Sequence, residues 1–241
     1  MRKVPFIIIL SSLLFLSGCQ RIKEGYNKNE KKTFGEMTGA MIKLPEPKLK
    51  GQMSLEEVIS KRRSIRDFSD TPLTKEQISQ ILWAAQGITD KEKSFRSAPS
   101  AGALYPLELF LVVGENGVKD ISPGVFQFLP EDHSIKVVLD KDVKEDLANA
   151  ALGQSAVAQV AVDIVITAEF ERTTGKYGER GVQYVWLEAG HVAENILLQV
   201  TSFGLGAVPI GAFNDEKVIK ILNIPLEFKP LYIIPIGRSK E

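Results

Sequence analysis

A run of basic residues around one serine, KRRSIRDFS at residues 61–69, could bind an anion. The side chains that would do so are Arg62, Arg63, Ser64 and Arg66. The planar guanidinium of arginine matches a phosphate, and each charge-assisted hydrogen bond contributes roughly 1.5–3 kcal/mol. Taken alone, however, such a run is more often a solvated surface patch. The phosphate interpretation therefore depends on the rest of the chain.

Three other segments have the features that a bound phosphate and an adjoining ring would need. APSAGALYP, at residues 98–106, is a loop of small residues before a predicted buried strand, where backbone amides can approach a ligand closely. GLGAVPIGAF, at residues 204–213, is a second glycine-rich loop, and Arg238 follows the last predicted strand. Each could equally be an ordinary turn. Neither loop matches GxGxxG or the P-loop, which disfavours a Rossmann or nucleoside-triphosphate site.

Composition narrows the class of protein. The chain has 241 residues, 44% of them hydrophobic and 25% charged, which is typical of one sizeable domain or at most two. Its 30 basic and 30 acidic residues balance, so we expect no nucleic-acid partner. With one cysteine and two distant histidines, we expect no metal site. We expect His133 to be a solvated turn residue and His191 to make a structural or dimer contact rather than to act in catalysis.

The N-terminus is typical of a secretory signal, because Arg2 and Lys3 precede an apolar run too short to span a bilayer. The following LSGC resembles the bacterial lipobox, which implies cleavage before Cys19 and a lipid anchor on that cysteine. The alternative is a signal peptide or short membrane anchor that happens to contain a cysteine. We predict a signal peptide at 1–18, a lipidated tether at 19–52 and a folded domain at 53–241, on a bacterial membrane outside the cytoplasm.

Periodicity and caps predict the elements that must position these residues. Capping-box patterns begin helices at Ser54 and Thr74, and further helices are predicted at 141–151, 182–200 and 215–222. Strands are predicted at 107–113, 162–170 and 230–237, with a hairpin at 124–140. The long helix should bury one apolar face, formed by Val182, Val185, Trp186, Ala189, Ala193, Ile196, Leu197 and Val200. Because there is no regular βαβ alternation, we predict an α+β sandwich around a mainly antiparallel sheet.

Taken together and in this order, the segments resemble the nitroreductase family of flavin mononucleotide (FMN) oxidoreductases, over about residues 55–238. In that family an RRSxRxF motif holds the flavin phosphate and ribityl chain, and a basic residue near the C-terminus closes on the phosphate. The matching residues here are Arg62, Arg63, Ser64, Arg66, Phe68 and Arg238. The family's PSxxN loop and its segment near the flavin ring correspond to Pro99, Ser100, Ala101 and Gly102, and to Pro209, Ile210 and Gly211. Ala103 replaces the asparagine of that loop.

The spellings PSAGALYPLEL, KYGERG and LEAGHVAEN resemble the SagB/ThcOx branch, which includes peptide azoline dehydrogenases. In those enzymes a Lys–Tyr pair deprotonates the substrate carbon as hydride leaves, and Lys176 and Tyr177 match it. A lysine base needs a lowered pKa, which Arg172 and Arg180 could supply if this segment is a loop folded over the site. The alternative for KYGERG is a polar loop that caps the long helix.

The resemblance implies a homodimer with two FMN sites at the subunit interface, each built from both chains. It implies hydride transfer at flavin N5, with Arg66 a candidate to stabilise the reduced ring. We expect an oxidoreductase acting on an unknown small molecule. Its electron donor is open, because NAD(P)H is expected to be scarce outside the cytoplasm. The alternatives are a SagB-like dehydrogenase of peptide azolines and a lipid-anchored flavin-binding protein without turnover.

Overall fold

The computed structural model describes residues 39–240, so the predicted signal peptide and Cys19 lie outside the described residues. The helices are α1 (Leu55–Lys61), α2 (Lys75–Gln86), α3 (Lys144–Ala150), α4 (Ser155–Ala158), α5 (Glu171–Tyr177), α6 (Arg180–Ser202) and α7 (Asp215–Leu222). The strands are β1 (Met41–Lys43), β2 (Ile88–Asp90), β3 (Phe95–Arg96), β4 (Leu107–Val113), β5 (Gly124–Leu129), β6 (Ser134–Leu139), β7 (Val162–Glu169), β8 (Gly206–Ala207) and β9 (Phe228–Gly237). A 3₁₀ turn covers Ala101–Ala103.

Seven strands form one sheet in the order β1-β6-β5-β4-β7-β9-β8, and the neighbouring strands pair antiparallel. The continuous apolar run of β4 follows from its central place, since both of its faces are covered. Leu109 and Leu111 belong to the hydrophobic cluster that includes α2 and α6, whereas Phe110 and Val112 belong to the cluster that includes α3, α4 and α7. Helices thus cover both faces, and the predicted α+β fold is confirmed.

The long helix α6 buries a face slightly different from the predicted one. The buried residues of its apolar face are Val185, Ala189, Val192, Ala193, Ile196, Leu197 and Val200. Val182 and Trp186 are exposed, Trp186 by 51%. The Trp186 ring contacts Phe170 at an edge, with 5.9 Å between ring centroids. Glu188, three residues after Val185, lies on the buried face, where only apolar residues were predicted. Within residues 39–240, no helix combines the length and apolar character needed to cross a bilayer.

The segment before α1 packs on the domain, which corrects the predicted tether boundary at residue 52. Strand β1 pairs with β6, and Leu44 is buried in the core. The same segment covers His133, whose Nε2 lies 2.9 Å from the Pro45 carbonyl and 2.7 Å from Ser79 Oγ. His133 lies in the predicted turn, but these contacts leave it half-buried rather than solvated as expected, and burial lowers its pKa. A three-residue edge strand carries too little periodicity to be predicted from sequence.

Candidate functional site

The basic run leaves α1 as extended chain and lies against the second glycine-rich loop. Arg62 is the C-cap of α1, where ψ turns to 124°. The Ile65 N–H then donates to the Ala207 carbonyl at 3.0 Å. A Cβ at Gly206 would stand 2.8 Å from Ile65 Cβ, so a glycine is needed for this approach. The helix end and the glycine together place the arginines along the edge of β8.

Arg238 is brought to the same place by backbone pairing with the end of the basic run. The Ser69 N–H donates to the Arg238 carbonyl at 2.9 Å, and the Lys240 N–H donates to the Asp67 carbonyl at 3.2 Å. Phe68 is fully buried, and a Cβ at Gly237 would stand 3.1 Å from its ring. The structure therefore places the two segments that were predicted to share a phosphate side by side.

The charges on these segments are largely uncompensated. Arg62 Nε lies 3.7 Å from Glu194 Oε1, which is a long, half-exposed pair of little energetic value. Arg63 donates to the carbonyl of Arg62 at 2.7 Å. In the part of the chain that the structure describes, no carboxylate pairs with Arg63, Arg66 or Arg238. Three exposed guanidinium groups on two joined segments are a donor set that suits an anion.

The predicted ring segment, residues 209–211, is fixed to the same edge. Ile210 exchanges two backbone hydrogen bonds with Ile233 of β9, at 2.8 and 2.9 Å. Pro209 is half-buried, whereas Gly211 is exposed. We call residues 62–69, 204–211 and 238 the basic edge.

The loop of small residues is held in an unusual backbone conformation. Gly102, Ala103 and Tyr105 all have positive φ, at 65°, 53° and 46°. Left-handed backbone is unfavourable for alanine and tyrosine, so other contacts must hold the loop. The Tyr105 N–H donates to Ser100 Oγ at 2.9 Å, and Tyr105 Oη accepts from the Arg96 N–H at 3.1 Å. Pro99 and Gly102 are exposed at its surface.

Lys176 and Tyr177 lie against this loop, although not in the predicted way. They end helix α5, which the sequence interpretation missed by treating the segment as a loop. A Cβ at Gly102 would stand 2.7 Å from Tyr177 Oη and 2.9 Å from Lys176 Nζ. Tyr184 of α6 contacts the Tyr177 ring edge to face, with centroids 5.2 Å apart. We call residues 99–103, 176 and 177 the loop–lysine group.

The two arginines expected to act on Lys176 have other contacts. Arg172 donates to Glu108 Oε1 and to Glu169 Oε2, both at 2.6 Å. Burial opposes its charge, but the two carboxylates more than compensate and raise the pKa of Arg172. Arg180 lies over the Tyr184 ring, 5.6 Å from its centroid. The expectation that Arg172 is a free cation for Lys176 is therefore wrong, because its charge is neutralised locally.

Glu188 is a buried acid beneath the same loop that sequence reasoning missed. Its side chain is 3% exposed. Burial raises its pKa to about 7, partly offset by the side chains of Ser100 and Gln86 and by the charge of Arg96. The sequence does indicate a buried acid here, because Glu188 lies between Val185 and Ala189 on the face of α6 that was predicted to be apolar.

Other features of the described residues do not coincide with the predicted site residues. A cleft of about 750 Å³ lies between residues 46–58, α2 and the second half of α6, and none of its lining residues is a predicted site residue. Within residues 39–240, no group of three or more His, Cys, Asp or Glu side chains is placed to hold a metal ion. His191 is exposed on α6, off its apolar face.

The basic edge and the loop–lysine group are not joined directly. Among the described residues, no hydrogen bond, ion pair or ring contact links a residue of one group to a residue of the other.

Comparisons with known proteins agree with this architecture. A Methanocaldococcus jannaschii protein whose name assigns it to the nitroreductases is 46% identical over 190 residues, covering 79% of this chain and 93% of that one. The Bacillus subtilis FMN reductase [NAD(P)H] is 26% identical, covering 76% of this chain and 65% of that one. The Escherichia coli microcin B17-processing protein McbC is 26% identical, covering 61% and 55%.

A solved structure supports the fold. A nitroreductase structure from Anabaena variabilis superposes with a TM-score of 0.74 at 26% identity, covering 84% of this chain but only 42% of that one. The family model described as "Nitroreductase family" matches residues 59–238, which contain both the basic edge and the loop–lysine group. The chain belongs to the nitroreductase family.

Proposed function

We propose that the chain is an FMN-dependent oxidoreductase whose basic edge binds the flavin phosphate. The observation that carries this proposal is that Arg66 and Arg238 lie on hydrogen-bonded segments without a carboxylate partner among the described residues. The family match and the Bacillus subtilis FMN reductase support FMN as the cofactor. FMN, when bound, supplies hydride transfer at its N5 atom.

The residues of the basic edge fit that group. Guanidinium groups bind a phosphate through paired N–H donors, and exposed arginines lose little hydration on doing so. Ser64 is exposed in the same run and adds a hydroxyl donor. Residues 209–211, fixed by Ile233, would form the part of the edge nearest the ring.

We also propose that a second copy of the chain completes the site. Because no hydrogen bond, ion pair or ring contact joins the basic edge to the loop–lysine group among the described residues, we assign the two groups to opposite sides of one site, with a neighbouring chain supplying one of them. Exposed apolar side chains on α1 and α6 support such an interface; they are Leu55, Ile59, Trp186 and Leu187. The proposal is therefore a homodimer with two equivalent sites.

A second candidate function is the dehydrogenation of a peptide ring, as in the SagB/ThcOx branch. The placement of Lys176 and Tyr177 against Gly102 favours it, because both side chains reach the surface at the loop. In this function Lys176 would take a proton from a substrate carbon, with Tyr177 beside it. The name of McbC as a peptide-processing protein is consistent with this alternative.

The predicted location is a further proposal. A lipid on Cys19 would hold the domain at a membrane outside the cytoplasm, with the tether between them. In that location a membrane quinol or a redox protein is a more accessible electron donor than NAD(P)H. The electron donor would be identified by mixing the protein anaerobically with NADH, NADPH or a quinol and measuring the loss of flavin colour that accompanies reduction.

The phosphate assignment is tested by flavin content. We expect the purified protein to be yellow, and the double variant Arg66→Ala/Arg238→Ala to be colourless while keeping its circular dichroism spectrum. The matched control, Lys217→Ala/Lys220→Ala, removes two positive charges from α7 and should stay yellow. Equal flavin content in the two double variants would refute the assignment.

A further inference from the structure

Glu188 lies at the centre of a buried polar cluster beneath the loop–lysine group. Its carboxyl faces the side chains of Ser100 and Gln86, and Arg96 contributes a positive charge. In the described part of the chain, neither Glu188 Oε1 nor Gln86 Nε2 has a hydrogen-bond partner. Burying a carboxyl group with one oxygen unpaired costs free energy, and such an exception in a folded protein calls for an explanation.

Ser100 connects this cluster to the loop. Its Oγ accepts from the Tyr105 N–H, and its hydroxyl lies close enough to the Glu188 carboxyl to lower the pKa of that acid. The loop between Ser100 and Tyr105 contains the left-handed residues Gly102 and Ala103. A hydrogen bond from Ser100 to an ionised Glu188 would therefore hold one end of a strained loop.

Among the described residues, few charged groups act on Glu188. Arg96, on β3, is the cation that faces it, and that side chain also pairs with exposed Glu131 at 3.0 Å. Tyr105 packs under the Arg96 guanidinium, 4.6 Å from its ring centroid. From α2 the facing group is the neutral amide of Gln86. Protonation of Glu188 would thus remove the negative charge that Arg96 and Ser100 face.

We propose that Glu188 is a positioning residue that acts through Ser100, and that its ionisation fixes the loop at residues 99–103 in the conformation that takes part in flavin binding. The ionised form holds the loop and the protonated form releases it. The burial that raises the pKa of Glu188 to about 7 places this change near neutral pH. The inference rests on the proposed flavin site and assigns it a pH-sensitive support.

The test is a titration of apoprotein with FMN, in which binding is measured by the quenching of flavin fluorescence. It is repeated between about pH 6 and pH 8, the range that brackets the raised pKa of Glu188. FMN phosphate itself titrates with a pKa of about 6, so the quantity compared is the ratio of dissociation constants between Glu188→Gln and the wild type. This ratio should rise about tenfold as the pH is raised from about 6 to about 8, because only the wild type gains the ionised carboxylate. A change of about tenfold is the size expected for one hydrogen bond to a charged acceptor. Glu216→Gln, an exposed acid in the first turn of α7, is the matched control and should give a constant ratio.

Further variants separate the outcomes. In a Ser100→Ala background, Glu188→Gln should have no pH-dependent effect, because the link to the loop is already broken. Parallel pH profiles for the wild type and Glu188→Gln would overturn the inference while leaving the flavin site intact. Absence of FMN binding at any pH would overturn both. If Glu188→Gln does not fold, Ser100→Ala alone must reproduce the altered pH profile, and a wild-type profile from it would equally overturn the inference.

Discussion

Truncation of Phe68 is expected to weaken FMN binding as well as stability. Its ring is fully buried against the end of β9, where Gly237 leaves room for it, and the residues on either side carry the backbone bonds that join Arg66 to Arg238. Phe68 is thus the apolar anchor of the basic edge, so Phe68→Ala removes the packing that holds two cationic segments together.

The size of the effect follows from these contacts. Phenylalanine-to-alanine changes at fully buried sites cost about 3–5 kcal/mol of unfolding free energy. If the basic run also shifts so that one arginine loses its bond to the phosphate, a further loss of roughly 1.5–3 kcal/mol in binding corresponds to a weakening of about 10- to 150-fold. We therefore expect a variant that is less stable and binds FMN at least about tenfold more weakly.

Urea denaturation and FMN titration measure the two effects, and Phe128→Ala is the matched control. Phe128 is equally buried but lies on β5, in the other hydrophobic cluster. It should show a similar loss of stability with little change in FMN affinity. If alanine prevents folding, Phe68→Leu and Phe128→Leu make the same comparison. Equal FMN affinities for the two variants would refute the role of Phe68 as an anchor.

Three other changes probe other parts of the account. Gly102→Ala should weaken FMN binding and slow substrate turnover, because alanine is strained at a φ of 65° and its Cβ would displace Tyr177 Oη and Lys176 Nζ; unaltered FMN affinity and turnover would contradict this. Lys144→Met leaves buried Asp163 unpaired and should destabilise the fold at pH 7, by less than the about 3–5 kcal/mol of a permanently charged group, because Asp163 can take up a proton. Burial raises the pKa of Asp163 to about 6, so near pH 5 this carboxyl is already protonated in the folded wild type. The loss of unfolding free energy caused by Lys144→Met should therefore be smaller near pH 5 than at pH 7. Urea denaturation measures both values, and equal losses would contradict this prediction. Cys19→Ser should release the protein from membranes, and retention would indicate an uncleaved anchor.

Much of the fold could be predicted from sequence because local and global signals agree. Thr74 and Gln77 form both hydrogen bonds of a capping box, and helix α2 begins where TKEQ predicts. The apolar run of β4 is buried on both faces of the sheet. The basic run was ambiguous alone, because its place beside Arg238 depends on pairing between segments about 170 residues apart, a separation that local patterns do not encode.

The parts that could not be predicted depend on tertiary packing. Strand β1 is a short edge strand whose position is set by β6 rather than by its own sequence. Helix α5 contains Gly175 and two threonines, which lower helix propensity, yet it forms where Arg172 joins it to Glu108 of β4. Glu188 interrupts an apolar face of α6 where it faces Ser100 and Gln86. These two residues come from other elements, so their proximity depends on tertiary packing.

The most direct test of the central claim is a comparison of FMN with riboflavin, which lacks the phosphate. If the basic edge binds the phosphate, apoprotein should bind FMN at least about tenfold more tightly than riboflavin, since even one charge-assisted hydrogen bond is worth that much. The difference should shrink as salt is added, because the arginines are exposed. Equal dissociation constants for FMN and riboflavin would contradict the account.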